Sequence, residues 1–173
     1  AKDFTVGGNL AVTGTSAFTG NVSMTGSVAA KKPVIAGSAS TVQLTAAQSG
    51  SVCLFDSAAG IVYTLPTASA GLVFDFYATV SVTSNSYKVI TSAGTELLIG
   101  TVVAIDTDTS NAVSAYTGNG TTHVAVTQAA ASTNATGGLL GSAIRFTCLS
   151  TTRWLVSGVT QAAGAPSTPF ATS

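Results

Sequence analysis

The sequence predicts an all-β protein, in which a repetitive N-terminal arm is followed by a β-sandwich or jelly-roll-like body. Three observations support this fold class. Glycine returns every six residues near the start of the chain, and short runs rich in Val, Ile, Phe, Tyr and Thr follow between turn signals. No window of a dozen residues has the charged face of a surface helix. Only 7% of the residues are charged while 46% are hydrophobic, whereas an average domain has about 25% charged residues.

The arm, residues 1–32, is built from six-residue units that begin at Gly8, Gly14, Gly20 and Gly26. The third and fifth positions of a unit are mostly apolar, which indicates short strands with one apolar face, and each glycine permits a tight turn. A single unit is too short to bury its own apolar face, so the repeat favours an intertwined oligomer. A flexible Gly/Thr-rich linker is the alternative. The candidate oligomer or capsid interface residues are Leu10, Val12, Phe18, Val22, Met24 and Val28.

The arm is predicted to end at the segment Lys31-Lys32-Pro33, because Pro33 cannot donate a hydrogen bond to a sheet. The lysine pair is interpreted as a solvated hinge, with contact to an acidic partner as the alternative. The body is assigned to residues 33–160. Residues 161–173 contain Pro166 and Pro169 and are predicted to form an extended C-terminal tail.

Eight short strands are predicted in the body, a number that suits a sandwich or a jelly roll. They are separated by turn signals rich in Gly, Asn and Ser. A short helix is predicted to begin at Thr45. The predicted strands are Ser51–Asp56, Ile61–Leu65, Leu72–Val82, Tyr87–Thr91, Glu96–Ile105, His123–Thr127, Ala143–Leu149 and Arg153–Val159.

Charge and hydropathy exclude several partners. Six basic and six acidic residues give a formal net charge of zero, and six scattered cations cannot form the basic patch that nucleic acid requires. A chain with so little surface charge is expected to pack against its own copies or a larger assembly. The first eight residues have no apolar core typical of a signal peptide, and no run of 18 apolar residues would span a bilayer. We therefore expect no membrane partner.

The residues that usually carry chemistry are scarce, so the sequence predicts no enzyme, no metal site and no cofactor. The chain has one histidine, His123, and one glutamate, Glu96, and it has no nucleophile-elbow or phosphate-loop motif. The segment starting at Asp106 resembles the first half of a calcium loop. It has Asn111 where such a loop needs glycine and Thr117 where it needs glutamate, so a polar hairpin turn is the preferred interpretation.

The remaining polar and sulfur side chains are interpreted as structural. Asp56 and Asp75 are expected to form ion pairs with Arg145 or Arg153. Cys53 and Cys148 lie 95 positions apart in apolar runs, and neither has a neighbour at metal-ligand spacing. Two buried thiols are the preferred interpretation, and a disulfide between neighbouring strands is the alternative.

The arm motif Gly-Asn-apolar-x-apolar-Thr-Gly, at residues 8–14 and 20–26, resembles the shaft repeats of tailed-bacteriophage fibres and related trimeric virion proteins. The body resembles a family of small structural proteins of phage virions. The matching stretches are Leu44–Gly50, Asp56–Gly60, Tyr63–Pro66, Ala70–Phe76, Gly141–Phe146 and Thr152–Gly158.

The resemblance implies a capsid decoration or cement protein, which is a small homotrimer bound to the major capsid protein on the outside of the head. It implies assembly in the host cytoplasm and a final location on the capsid surface. A tail-fibre or head-fibre subunit that binds a host receptor is the alternative. The motifs match turn and core positions, so they transfer no residue-level capsid contacts to this chain.

Overall fold

The structure is a computed structural model, which describes residues 30–37, 40–108, 112–129 and 135–173, together with six further positions before residue 30. The chain separates into two compact units, Ala1–Lys31 and Lys32–Ser173. The second unit contains all of the strands described below. The six predicted interface residues of the arm lie outside the described residues.

The described part of the body contains twelve strands and one short turn of 3-10 helix, and the all-β prediction is confirmed. The strands are β1 (Val34–Ile35), β2 (Thr41–Gln43), β3 (Val52–Phe55), β4 (Ile61–Thr64), β5 (Val73–Ala78), β6 (Ser86–Ile90), β7 (Leu97–Asp106), β8 (Val113–Asn119), β9 (Ala125–Ala129), β10 (Ala143–Ser150), β11 (Arg153–Ala162) and β12 (Phe170–Ala171). The 3-10 turn is Ala46–Gln48, which begins directly after Thr45 as predicted. The Gln48 side chain accepts a hydrogen bond from the Thr45 backbone N–H at 2.8 Å, which stabilises the start of this turn.

The strands form two mixed sheets. A seven-stranded sheet has the order β1-β3-β5-β10-β11-β7-β8, and a five-stranded sheet has the order β12-β9-β6-β4-β2. The first six strands alternate between the two sheets. Each of them therefore pairs with a strand two places away along the chain, and these pairs are parallel. This part of the body therefore winds as a flattened coil. Parallel pairing of this kind differs from the antiparallel arrangement of a jelly roll, and the body is a β-sandwich.

The core lies between the two sheets and is dominated by aromatic rings. Phe55 of the seven-stranded sheet stacks on Tyr87 of the five-stranded sheet, with ring centroids 4.5 Å apart. Phe76 packs against Phe55, Tyr63 and Phe146 at centroid distances of 5.2 to 5.7 Å. All five rings are buried. Rings in edge-to-face and offset contacts add specific packing energy to the large apolar area that they bury, so this cluster holds the two sheets together.

The second half of the body closes the seven-stranded sheet. β10 and β11 form an antiparallel hairpin, and β11 also pairs in parallel with β7 along all ten of its residues. The segment predicted as an extended tail contains more structure than expected, because β11 continues to Ala162 and β12 pairs with β9. The Tyr116 hydroxyl also donates a hydrogen bond to the Pro166 carbonyl oxygen. These contacts pack the C-terminal segment against the sandwich.

Candidate interaction surface

The seven-stranded sheet has one face against the core and a second face directed away from it. Successive side chains of a strand alternate between the two faces; in β5, Phe74 and Phe76 are buried inside, whereas Val73 and Tyr77 lie on the other side. We call this second side the outer face. Its apolar residues are Val34, Val52, Leu54, Val73, Tyr77, Leu97, Ile99, Val103, Ile105, Val113, Ala115, Ala143, Leu149, Leu155 and Val159.

One row of the outer face crosses six strands without a charged side chain. The strand registers place its members side by side. We call this the apolar row; in order across the sheet it consists of Leu54, Tyr77, Ala143, Val159, Val103 and Ala115. Tyr77 and Val159 are 41% and 37% exposed. Next to the row, Val113 pairs with Ile105 and is 65% exposed. Apolar side chains are thus continuous across this end of the outer face.

The neighbouring row of the outer face is polar and is organised around Asp75. Arg145 binds this carboxylate with two nitrogens, at 2.5 Å from Nε to Oδ1 and 3.0 Å from Nη2 to Oδ2. The Lys32 Nζ lies 2.6 Å from Oδ2. Ser157 and Thr101 continue the row across the sheet. Asp75 is almost fully buried beneath its two partners, whose own side chains are half exposed. The expected pairing of Asp75 with Arg145 is therefore confirmed, and Lys32 is an additional partner.

The electrostatics of this cluster keep Asp75 ionised. The hydrogen bonds from Arg145 lower the pKa of the Asp75 carboxyl below its usual value, and the Lys32 ammonium acts in the same direction against the opposing effect of burial. The same contact raises the pKa of Arg145. A shallow groove of about 260 Å³ lies along this cluster and is also lined by Tyr77, Ala143 and Ser157. The cluster thus forms a fixed polar row between the apolar row and a further row that includes Val73, Leu155 and Ile99.

The five-stranded sheet provides an internal comparison, because its outer side is mainly polar. Thr41, Val62, Lys88 and Thr127 form one row across it. Gln43, Thr64, Ile90 and Ala125 lie in the next row. A sandwich whose two sides both meet water is expected to be polar on both. The outer face of the seven-stranded sheet is therefore the more apolar of the two outer sides.

The Asp75 cluster predicts a specific pH dependence of stability. The folded-state pKa of Asp75 lies below the value of about 3.9 in the unfolded chain, so its contribution is complete above about pH 4 and is lost as the pH falls through the folded-state pKa. We expect Asp75→Asn to lower the free energy of unfolding by about 2 kcal/mol at pH 7. Urea unfolding of both proteins at several pH values measures this.

The difference between the two proteins should shrink as the pH falls, because the wild-type carboxylate becomes protonated. Arg145→Lys is the control, since it keeps the charge but loses the two-nitrogen contact, and it should show a smaller loss with the pH dependence retained. A difference between wild type and Asp75→Asn that stays constant down to the lowest pH would contradict the assigned role.

His123 stabilises a turn through its side-chain contacts. Its Nδ1 accepts a hydrogen bond from the Asn119 backbone N–H at 3.2 Å, and its ring stacks on Phe170 at a centroid distance of 5.6 Å. The Asn119 side chain accepts hydrogen bonds from the backbone N–H groups of Thr121, Thr122 and His123. The histidine thus helps to fix the turn after β8. Glu96 also binds a loop, because its Oε1 accepts a hydrogen bond from the Ala68 backbone N–H at 2.8 Å.

The strands on either side of the segment after Asp106, β7 and β8, pair antiparallel, as the predicted hairpin requires; residues 109–111 of this segment lie outside the described residues. Asp106 Oδ1 accepts a hydrogen bond from the Asp108 backbone N–H, and Asp108 Oδ2 accepts one from the Gly164 backbone N–H. Within the described ranges, no three His, Cys, Asp or Glu side chains are grouped as a metal site would require. The acidic side chains here bind backbone amides.

The two cysteines are separate, buried free thiols, in agreement with the preferred sequence interpretation. Burial is the main reason that the pKa of Cys53 is raised to about 12, and the negative charge of Asp75 acts in the same direction. Burial likewise raises the pKa of Cys148. Since the thiolate is the reactive form, both side chains are suited to packing.

Comparison of this chain with protein-family models, with curated proteins and with solved structures finds no match. Among the described residues there is no helix with the length and hydropathy needed to cross a membrane.

Proposed function

We propose that this chain is a non-enzymatic structural protein of a tailed-bacteriophage virion, which decorates and stabilises the outside of the capsid as a trimeric cement protein. The apolar outer face of the seven-stranded sheet is the observation on which this proposal rests. Such a face is suited to permanent contact with protein and offers little to a small polar substrate. The resemblance of the arm and body motifs to phage virion proteins supplies the biological setting.

A cement protein stabilises a capsid by thermodynamic linkage between its own binding and capsid assembly. Because it binds subunits that are already assembled, its binding energy shifts the equilibrium towards the intact shell. The required interactions are apolar contacts over an extended surface, since burial contributes about 25 cal/mol per Å². The outer face provides one such surface, and the sequence predicts a second at the apolar positions of the arm. The polar outer side of the five-stranded sheet is suited to remain in contact with solvent.

Copy number tests this proposal. Virions would be purified, and this chain would be quantified against the major capsid protein by mass spectrometry with isotope-labelled peptides of both. A copy number in simple ratio to that of the capsid protein is the expected result. A known tail protein in the same sample provides the internal reference for a low-copy component.

A copy number equal to that of the reference tail protein would instead favour the tail-fibre or head-fibre alternative, which the six-residue arm repeat also fits. If the chain is missing from purified virions, the proposed function is wrong.

A further inference from the structure

We propose that a cavity on the outer side of the five-stranded sheet binds an acidic sugar, whose carboxylate contacts the Lys88 ammonium and whose hydroxyls contact the polar groups around it. The cavity has a volume of about 450 Å³, which lies within the range of about 300–1,000 Å³ typical of small-molecule sites. It is separate from the outer face of the seven-stranded sheet, so the inference goes beyond the proposed function and does not rest on it.

The cavity forms because the edge strand of this sheet is short and the next strand is preceded by a glycine. β2 begins at Thr41, so it pairs with β4 only from Val62 onwards. Gly60 lies directly before β4 with a φ of +92°, and a Cβ atom there would lie 2.7 Å from the Ser86 backbone oxygen. Glycine therefore lets the chain before β4 approach β6 closely and leaves this part of the surface without a side chain.

The turns before β4 and β6 are hydrogen-bonded to each other. The Ala58 carbonyl oxygen accepts hydrogen bonds from the backbone N–H groups of Thr83 and Ser84, at 2.8 and 3.2 Å. The Asn85 Nδ2 donates to the Ala59 carbonyl oxygen at 2.8 Å. This contact fixes the Asn85 side chain at the cavity and leaves its Oδ1 available to a ligand. A site held in place before binding loses less conformational freedom when the ligand arrives.

Lys88 supplies the positive charge. It is a half-buried residue of β6, between Val62 and Thr127 of the neighbouring strands. Both ion pairs in the described part of the chain involve Asp75, so Lys88 forms none with a described residue. The described residues in the registered rows of this outer side include no other charged side chain. A ligand carboxylate would therefore give this ammonium the charge-assisted hydrogen bond that the protein does not provide.

The remaining polar groups select the rest of the ligand. The Ser40 and Ser86 side chains also line the cavity, and their hydroxyls can donate or accept, whereas the Asn85 Oδ1 can only accept. A bare anion such as acetate has no proton for that oxygen, and a neutral sugar has no charge for Lys88. An acidic sugar such as glucuronic acid has both the charge and the hydroxyls. Its C–H groups can contact the Val62 side chain at the same cavity.

Titration of the isotope-labelled full-length chain, followed through its backbone amide NMR signals, tests this inference. Methyl glucuronide is the complete probe, and methyl glucoside and acetate are the two partial probes. We expect the glucuronide to shift the signals of Gly60, Ser86 and Lys88 with a dissociation constant of about 1–10 mM, in keeping with one ionic contact and a few exposed hydrogen bonds. Each partial probe should bind at least about 10-fold more weakly.

Lys88→Gln should weaken glucuronide binding by about 10-fold, because it removes the charge that faces the carboxylate. It should fold normally, as circular dichroism would show, since no described residue forms an ion pair with Lys88. The matched control is Arg153→Gln, which removes one positive charge at the start of β11 in the other sheet and should bind like the wild type. Equal weakening by the two variants would assign the effect to net charge and overturn the inference.

Asn85→Gly tests the contact with the hydroxyls. Asn85 has a φ of +56°, and glycine adopts this conformation readily, so the backbone should be kept while the amide oxygen is lost. Glucuronide binding should weaken about 3-fold. Unchanged binding by this variant, or acetate or glucoside binding as tight as that of the glucuronide, would overturn the assignment to an acidic sugar.

A glucuronide that shifts no signal at the cavity up to about 50 mM would overturn the site itself. This titration uses the isolated chain, whereas the proposed function is tested by the copy number in virions. Binding by a chain that is missing from virions would therefore support the site and refute the proposed function. A chain present in virions without binding the glucuronide would do the reverse.

Discussion

Replacing Phe76 with alanine is expected to lower the free energy of unfolding by about 4 kcal/mol, which is the typical loss for a fully buried phenylalanine. Phe76 is completely buried and lies between Phe55, Tyr63 and Phe146. Alanine would leave a cavity and remove contacts to rings of both sheets. Domains are stable by only about 5–15 kcal/mol, so this single change removes a large part of the total. Urea unfolding followed by tryptophan fluorescence measures the effect.

Phe76→Leu is the graded control, because it keeps most of the apolar volume and should cost less than half as much. Lys88→Ala, on the outer side of the five-stranded sheet, should change stability by less than about 0.5 kcal/mol. If Phe76→Ala were no more destabilising than Lys88→Ala, the position of Phe76 in the core would be wrong.

Gly100→Ala is expected to destabilise the protein by about 3 kcal/mol or more, even though it adds only one methyl group. Gly100 lies in the middle of β7 with a φ of +105°, a conformation that costs other residues about 1–3 kcal/mol. A Cβ atom there would also collide with the Val156 backbone oxygen on β11 and lie 2.8 Å from the Leu155 side chain. Because the colliding atom belongs to the backbone, the parallel β7–β11 ladder itself would have to shift.

Two other glycines separate the effect of the positive φ from the effect of the Cβ collision. Gly71 has a φ of +94° but open space around its Cβ position, so Gly71→Ala should cost only about 1–2 kcal/mol. Gly94 has neither a positive φ nor a close neighbour, and Gly94→Ala should be neutral or slightly stabilising. Equal effects at all three positions would show that the collision at Gly100 has been overestimated. Chemical denaturation of the three variants under identical conditions measures the series.

The sequence predicts most of the strands, because their residues alternate or form short apolar runs. Each of the eight predicted runs overlaps an observed strand. β8 was missed, since its sequence Val-Ser-Ala-Tyr-Thr-Gly-Asn has only weak alternation and ends in a glycine that suggests a turn. Pairing with β7 decides its conformation, and Gly100 stands opposite Gly118 in that pair. β1, β2 and β12 have only two or three residues each, which is too short for an alternating apolar pattern to be recognised in the sequence.

Strand pairing could not be predicted in the same way. The coil of the first six strands depends on contacts between segments far apart in the sequence, and alternation within one strand does not show which strand lies beside it. The low content of charged residues and the short alternating runs exclude a mainly helical or highly charged protein. They could not distinguish the parallel coil found here from an antiparallel jelly roll.

The outer face was also missed, although the sequence contains a signal for it. Val102-Val103-Ala104-Ile105 is apolar at four consecutive positions, and so is Leu97-Leu98-Ile99-Gly100. A strand with one side in water should alternate, whereas continuous apolar runs indicate a strand covered on both sides. The pairing of Asp75 with Arg145 was among the predicted ion pairs, but only the register of β5 and β10 distinguishes it from pairing with Arg153.

The strand order of the seven-stranded sheet also has a consequence for folding kinetics. The β10–β11 hairpin lies between β5 and β7, so the middle of the sheet is made from residues that the ribosome synthesises after both flanking parts. The flanking parts can form early, but they can join only when this hairpin enters between them. Long-range closure of this kind is intrinsically slow, and until it occurs the inner edges of β5 and β7 have unpaired backbone groups that other chains can bind. The nascent chain therefore passes through a period in which rapid completion of the sheet competes with misassembly.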